Sequence, residues 1–230
     1  MSVPNHIAII PDGNRRWAKA HRLLPWQGHE EGVKRFWEIV QEVVNSGVNY
    51  LTFWAGSYGN LQKRSRQEVG VLFRILAEEI TKPELLDLLI RNQTKLEVFG
   101  EWEEFSTNPK LKDLLEGVKD KTKHFVGRKL TLLFGYDGQR EMLNAQEQLR
   151  TNGEEVTSDN LRKQLWTGEL PDVDLLIRTG GEPHWSAGFM MWHTANSQLF
   201  FTEDFWPAFT TVQLKTALED FERRERRLGK

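Results

Sequence analysis

Short, nearly continuous apolar runs alternate along this chain with longer stretches whose apolar residues recur every three to four positions. The runs fall at 6–10, 49–55, 95–99, 129–135, 173–177 and 198–202, each with β-branched, leucine or aromatic residues. This is the pattern of strands buried on both faces. Between them, helical spacing predicts helices at about 15–21, 30–46, 66–91, 109–124, 137–151, 157–166 and 210–227. The alternation predicts right-handed crossovers and a mostly parallel sheet of six strands with helices on both sides. The polar loop 151–157 is too short to separate domains, and no internal repeat is present. Residues 1–230 are therefore read as a single α/β domain.

The stretch 66–91 carries more apolar residues than one stripe needs. Val69, Leu72, Phe73, Leu76 and Ile80 share a helix face, and Pro83 then interrupts the pattern. Thr81-Lys82-Pro83-Glu84 resembles a capping box with proline in the first turn, so a second helix is expected there. The leucines that follow suit either core packing or the wall of a lipid-sized cavity. Near the C-terminus, Glu222-Arg223-Arg224-Glu225-Arg226-Arg227 reads as a solvated helix face.

Bulk composition narrows the function. Hydrophobic residues make up 39% and charged residues 28%, an ordinary globular balance. The net charge of -2 and the lack of a basic stripe with interleaved aromatics argue against nucleic-acid binding. With no cysteine, disulfides, thiolate metal sites and cysteine nucleophiles are excluded. No run is long enough for a membrane span, and the start lacks the order of a signal peptide, so a cytoplasmic protein is expected. Nine tryptophans and thirteen phenylalanines suit a filled core or an apolar binding surface.

Candidate chemistry gathers after three strands, where open α/β sheets bind ligands. Asp12, Gly13, Asn14, Arg15 and Arg16 follow the first. Ser57, Tyr58, Gly59 and Asn60 follow the second, then Lys63 and Arg64. Arg178, Thr179, Gly180, Gly181 and Glu182 follow the fifth, then His184 and Ser186. Glycine lets backbone approach an anion, and guanidinium forks match phosphate oxygens. A bare phosphate would repel Asp12, so a bridging Mg²⁺ makes sense of it. A decorated Asp-Gly turn and a structural Arg–Glu pair are the plainer alternatives for the first and third clusters. His29, at a helix start, fits a phosphate contact or a structural role. No P-loop, dinucleotide fingerprint, His-Glu-x-x-His or Gly-x-Ser-x-Gly motif is present.

Taken in order, these motifs resemble those of the cis-prenyltransferases, the undecaprenyl diphosphate synthase group. The resemblance runs from His6–Lys19 through Gly28-His29-x-x-Gly32, Ser57-x-x-Asn60 and Asp174–Glu182 to Phe201-Thr202, Trp206-Pro207 and Arg223–Arg227. It implies an apolar tunnel beside the sheet, a homodimer, and peripheral contact with membranes at most. It also implies that an allylic diphosphate condenses with isopentenyl diphosphate, forming a Z double bond and releasing diphosphate. By the same resemblance, Asp12 holds Mg²⁺ and helps the diphosphate leave. Gly13, Asn14, Arg15, Arg16 and His29 cradle the allylic diphosphate, with Trp17 nearby. Ser57 and Asn60 lie near the proton removed from the isopentenyl unit; Lys63 joins the binding side from its place in the cluster after the second strand, not from the resemblance. Arg178 and Ser186 grip the isopentenyl diphosphate.

The chain departs from that pattern at four places. Pro25 stands where an arginine is usual, and Gly59 and Leu61 where glutamate and tryptophan are common. His184 replaces an arginine after Gly-Gly-Glu, and Gln198 replaces a glutamate expected at the metal. Each weakens charge on the binding side. They suggest an enzyme of altered substrate choice, making short chains or joining dimethylallyl diphosphate in a non-head-to-tail way. Other readings are a non-catalytic subunit of a heteromeric prenyltransferase and a phosphohydrolase using the same basin.

Overall fold

In the computed structural model, which describes residues 3–224, the strands sit where the apolar runs place them. They are β1 (His6–Ile10), β2 (Tyr50–Ser57), β3 (Thr94–Phe99), β4 (Arg128–Tyr136), β5 (Leu175–Arg178) and β6 (Gln198–Phe201). They form one sheet in the order β3-β4-β2-β1-β5-β6. Every adjacent pair is parallel, so the expected mostly parallel sheet is wholly parallel among the described residues.

The helices are α1 (Asn14–Ala20), α2 (Pro25–Asn45), α3 (Tyr58–Lys63), α4 (Arg66–Thr81), α5 (Pro83–Arg91), α6 (Leu111–Thr122), α7 (Gly138–Asn152), α8 (Ser158–Gln164) and α9 (Thr211–Arg223). The stretch 66–91 breaks at Lys82, and Pro83 opens α5, as its proline predicted; the expected capping box does not form, because Thr81 ends α4 and its hydroxyl donates back to the Ala77 and Glu78 carbonyls. Glu225, Arg226 and Arg227, predicted to extend the last helix, lie outside the described residues.

Two elements differ from the sequence expectation. Helix α2 starts at Pro25 rather than near residue 30, because proline suits the first helical position and the Gln27 side chain accepts the Leu24 amide at 2.8 Å. The segment after β2 folds into α3, capped by Ser57, whose hydroxyl accepts the Asn60 amide at 3.1 Å. A helix of six residues is too short to show a period.

Alternate residues of β1 face opposite sides of the sheet. Ile7 and Ile9 join a large core with Phe53, Phe73, Leu96 and Trp206. Ala8 and Ile10 join a smaller one with Trp54, Tyr136 and Phe189. The chain leaves β1 for β2 on one side and returns at β5 on the other. The crevice at the C-terminal ends of β1 and β5 is thus a switch point, where such sheets bind ligands.

Candidate active site

Asp12 sits two residues past β1, in that crevice. Its carbonyl accepts the Trp206 amide at 2.9 Å and the Thr179 hydroxyl at 2.8 Å, which fixes the turn. Gly13 has φ 102, and a Cβ there would stand 2.6 Å from the Phe205 ring, so both backbone and space demand glycine. The Asp12 carboxylate is held from two sides. Oδ1 accepts the Gly13 amide at 2.6 Å and lies 3.2 Å from Arg16 Nη2. Oδ2 accepts Arg178 Nη2 at 3.0 Å.

Arg178 ends β5, buried and in register with Ile10. Its Nη1 donates to the Ser186 hydroxyl and to the His184 carbonyl, both at 2.6 Å, while its Nε is buried with no partner. Gly180, at φ 95, leaves room for Arg16: a Cβ would lie 2.7 Å from Arg16 Nη2. Arg16 Nη1 is also 3.4 Å from Glu182.

The next layer of charge centres on Glu68 of α4. Its Oε1 is buried and stands 3.4 Å from Arg64 Nε, 3.6 Å from Arg15 Nε and 3.9 Å from His29 Nε2. Burial, with Arg64 and Arg15 adding to it, lowers the His29 imidazole from 6.5 to about 3, so it is neutral near pH 7. Burial also lowers Arg64, partly offset by Glu68. Close packing of α1 on α2 brings His29 in: a Cβ on Gly28 would stand 2.1 Å from the Asn14 carbonyl oxygen.

These groups open into a cavity of about 1160 Å³. Its mouth is cationic, with Arg15, Arg16, Lys19, Arg22, Lys63 and Arg64. Its inner wall is apolar, built from Phe36, Phe53, Leu72, Ile75, Leu76 and Phe134. Such a space suits a molecule with a strongly anionic head and a hydrocarbon tail.

Of the residues singled out in the sequence, Asp12, Gly13, Asn14, Arg15, Arg16, His29, Ser57, Asn60, Lys63, Arg178 and Ser186 all line this cavity. Three do not. Trp17 stacks on His21 instead, ring centroids 4.0 Å apart. The His184 imidazole is more than half exposed and sits 3.5 Å from Glu182; only its backbone carbonyl reaches Arg178. Gln198 starts β6 opposite Leu175, whereas Phe201 is the residue level with Arg178. That places Gln198 about 10 Å down the strand at roughly 3.3 Å per residue. The expectation that Gln198 joins Asp12 at a metal is therefore corrected within this chain: strand register separates them.

Sequence reading missed Glu68, which follows Ser65 by three residues and reads as a capping partner. Ser65 does cap α4 by accepting the Glu68 amide at 3.2 Å. The Glu68 carboxylate instead faces the arginines of other elements, which only packing reveals. Among the described residues, no three His, Cys, Asp or Glu side chains cluster to enclose a metal. One carboxylate fits a Mg²⁺ shared with substrate phosphates, the usual arrangement for that ion.

The sequence matches the family model described as putative undecaprenyl diphosphate synthase over residues 10–229. It is 35% identical to the isoprenyl transferase of Thermotoga maritima, covering 100% of this chain and 98% of that protein. It is 34% identical to the tritrans,polycis-undecaprenyl-diphosphate synthase (GGDP specific) of Sulfolobus acidocaldarius, covering 98% of this chain and 88% of that one. Among solved structures, lavandulyl diphosphate synthase from Lavandula x intermedia, in complex with dimethylallyl diphosphate, superimposes with TM-score 0.90 at 27% identity over 99% of both chains. A probable undecaprenyl diphosphate synthase from Campylobacter jejuni gives TM-score 0.79 at 26% identity over 100% of both.

Proposed function

This chain belongs to the undecaprenyl diphosphate synthase family of prenyltransferases, and on that premise we propose that it condenses an allylic diphosphate with isopentenyl diphosphate to a Z-configured prenyl diphosphate, releasing diphosphate. The observation that carries this is the Asp12–Arg178 pair, set where a cationic mouth opens into an apolar cavity. The anionic heads bind at the mouth and the allylic tail lies against Phe36, Leu72 and Phe134.

Arg15, Arg16 and the neutral His29 bind and orient the allylic diphosphate. Arg178, with Ser186, holds the isopentenyl diphosphate, and its unpartnered Nε is a donor still free for that oxygen. As the allylic C–O bond breaks, charge grows on the leaving diphosphate, and these cations stabilise it. The apolar walls keep water from the allylic cation. As the new carbon–carbon bond forms, the isopentenyl unit loses a proton beside Ser57 and Asn60 to a diphosphate oxygen. Bound Mg²⁺, carried on the diphosphate and held by Asp12, would neutralise leaving-group charge.

A homodimer belongs to the same reading. Strand β6 lies at the sheet edge and exposes Leu199 and Phe201, an apolar pair suited to a second copy. Among the described residues no helix is long and apolar enough to cross a membrane. The exposed Leu23 and Leu24 beside the mouth suit peripheral contact with a lipid surface, in a cytoplasmic enzyme.

The likeness to lavandulyl diphosphate synthase favours a second reading, non-head-to-tail joining of dimethylallyl diphosphate. The His184 imidazole, exposed and set beside Glu182 rather than Arg178, fits it. The test is product analysis by mass spectrometry with dimethylallyl diphosphate alone and with isopentenyl diphosphate, each with and without Mg²⁺. A Z-prenyl diphosphate only from the mixture supports the main reading. Condensation of dimethylallyl diphosphate alone supports the second. No carbon–carbon bond in any mixture would falsify both, and phosphate release without condensation would favour a hydrolase.

A further inference from the structure

The cavity between α2 and α4 has a polar end. Helix α4 presents Leu72, Ile75, Leu76 and Glu79 to it, the i, i+3, i+4, i+7 positions of one face. The first three are apolar and the last is a carboxylate. Glu68, at the start of α4, faces the cationic mouth, so the helix runs inward from there. Glu79 is three turns deeper, about 16 Å at 1.5 Å per residue. Helix α2 runs beside it, from His29 at the mouth to Phe36 within.

At that depth the two helices are joined. Trp37 Nε1 of α2 donates to Glu79 Oε2 at 2.7 Å, and Lys82 Nζ lies 2.6 Å from Glu79 Oε1. Both carboxylate oxygens are therefore held, and the side chain is only one-fifth exposed. We infer that this Trp37–Glu79 bridge is the far wall of the prenyl tunnel and ends chain growth after a few isoprene units. The inference rests on the prenyl transfer proposed above. Its physical ground is that each methylene laid on Leu72, Ile75 or Leu76 leaves water for apolar surface, which is favourable. A methylene pushed against Glu79 must break a charge-assisted bond or strip water from a carboxylate, which is not. Phe36, packed edge-on to Trp37 with centroids 5.5 Å apart, backs the indole and keeps it in place.

The experiment titrates wild type, Glu79→Ala and Glu79→Gln with dimethylallyl, geranyl, farnesyl and geranylgeranyl diphosphate, and identifies products by mass spectrometry. Wild-type affinity should rise with tail length and then fall by about tenfold once the tail meets the bridge. In Glu79→Ala that fall should move to a tail at least one isoprene unit longer, and the main product should lengthen to match. Glu79→Gln keeps the volume and an acceptor for Trp37 but loses the charge and the Lys82 pair, so the fall should stay at the wild-type tail length and become shallower. An unshifted affinity profile in a folded Glu79→Ala, or a product of polyprenyl length from the wild type, overturns the inference. A wild type that forms no carbon–carbon bond overturns the prenyl-transfer reading instead, and the binding profiles still decide the wall.

Discussion

Arg178 on β5 and Asp12 after β1 meet at 3.0 Å, Nη2 to Oδ2, across 166 residues of sequence. The register Ile10 to Arg178 aligns them. The arginine side chain is 5% exposed and the aspartate 34%, so this pair is largely withdrawn from water on one side only. The buried guanidinium is fixed in place, and the aspartate stands between it and the open mouth.

Asp12→Ala should therefore remove turnover while leaving the fold. The expected loss in kcat is at least ~10²–10³-fold, the scale of losing one preorganised electrostatic contact. Steady-state kinetics with a circular dichroism control reads it. Activity within a few-fold of wild type would refute the central place given to Asp12.

Arg178→Lys keeps the charge and loses the fork. One ammonium cannot reach Asp12, the Ser186 hydroxyl and the His184 carbonyl with the same geometry. KM for isopentenyl diphosphate should rise by about 10–100-fold, matching one or two lost bonds to a charged group. KM for the allylic substrate should change much less. Equal rises for both substrates would contradict the assignment of Arg178 to the isopentenyl head.

Acid should destabilise the protein through its buried histidines. Burial lowers His6 to about 4, His29 to about 3 and His193 to about 4, each from 6.5. In that window the unfolded chain binds protons that the folded chain does not, so stability rises with pH. It is complete above about pH 6.5 and is lost as pH falls toward 4, by roughly 1.4 kcal/mol per unit for each histidine. Urea unfolding at pH 7.5, 6 and 5 measures the slope, and His193→Gln should remove about a third of it. Equal stability at pH 7.5 and pH 5 would show that these imidazoles are not held neutral.

Gly28→Ala should separate α1 from α2. The new methyl would stand 2.1 Å from the Asn14 carbonyl oxygen, which is backbone and cannot swing away. The expected cost is about 2–3 kcal/mol, a fall in Tm of roughly 4–10 °C for a chain of this size. Because Asn14, Arg15 and His29 sit on these two helices, KM for the allylic diphosphate should rise as well. A melt and a KM equal to wild type would show that the contact is not tight.

Much of this protein was legible in one dimension. The six strands, the break at Pro83 and the Asp12–Arg16 cluster follow from local signals: apolar runs, a proline, a glycine turn before cations. Those depend on residues close in sequence, so the chain itself determined them, and the ordered motifs carried the family. Tertiary structure decided the rest. Helix α3 is too short to leave a period. Glu68 reads locally as a capping residue, yet packing sets its carboxylate among Arg15, Arg64 and His29. Gln198 looked like a metal ligand by motif order, but parallel register puts it at the wrong end of β6. Glu79 is locally one more polar position on α4, and only the approach of α2 turns it into an end wall. A periodic pattern says which face of an element is buried. Strand order and helix crossings decide which buried faces meet, and that is where this site was made.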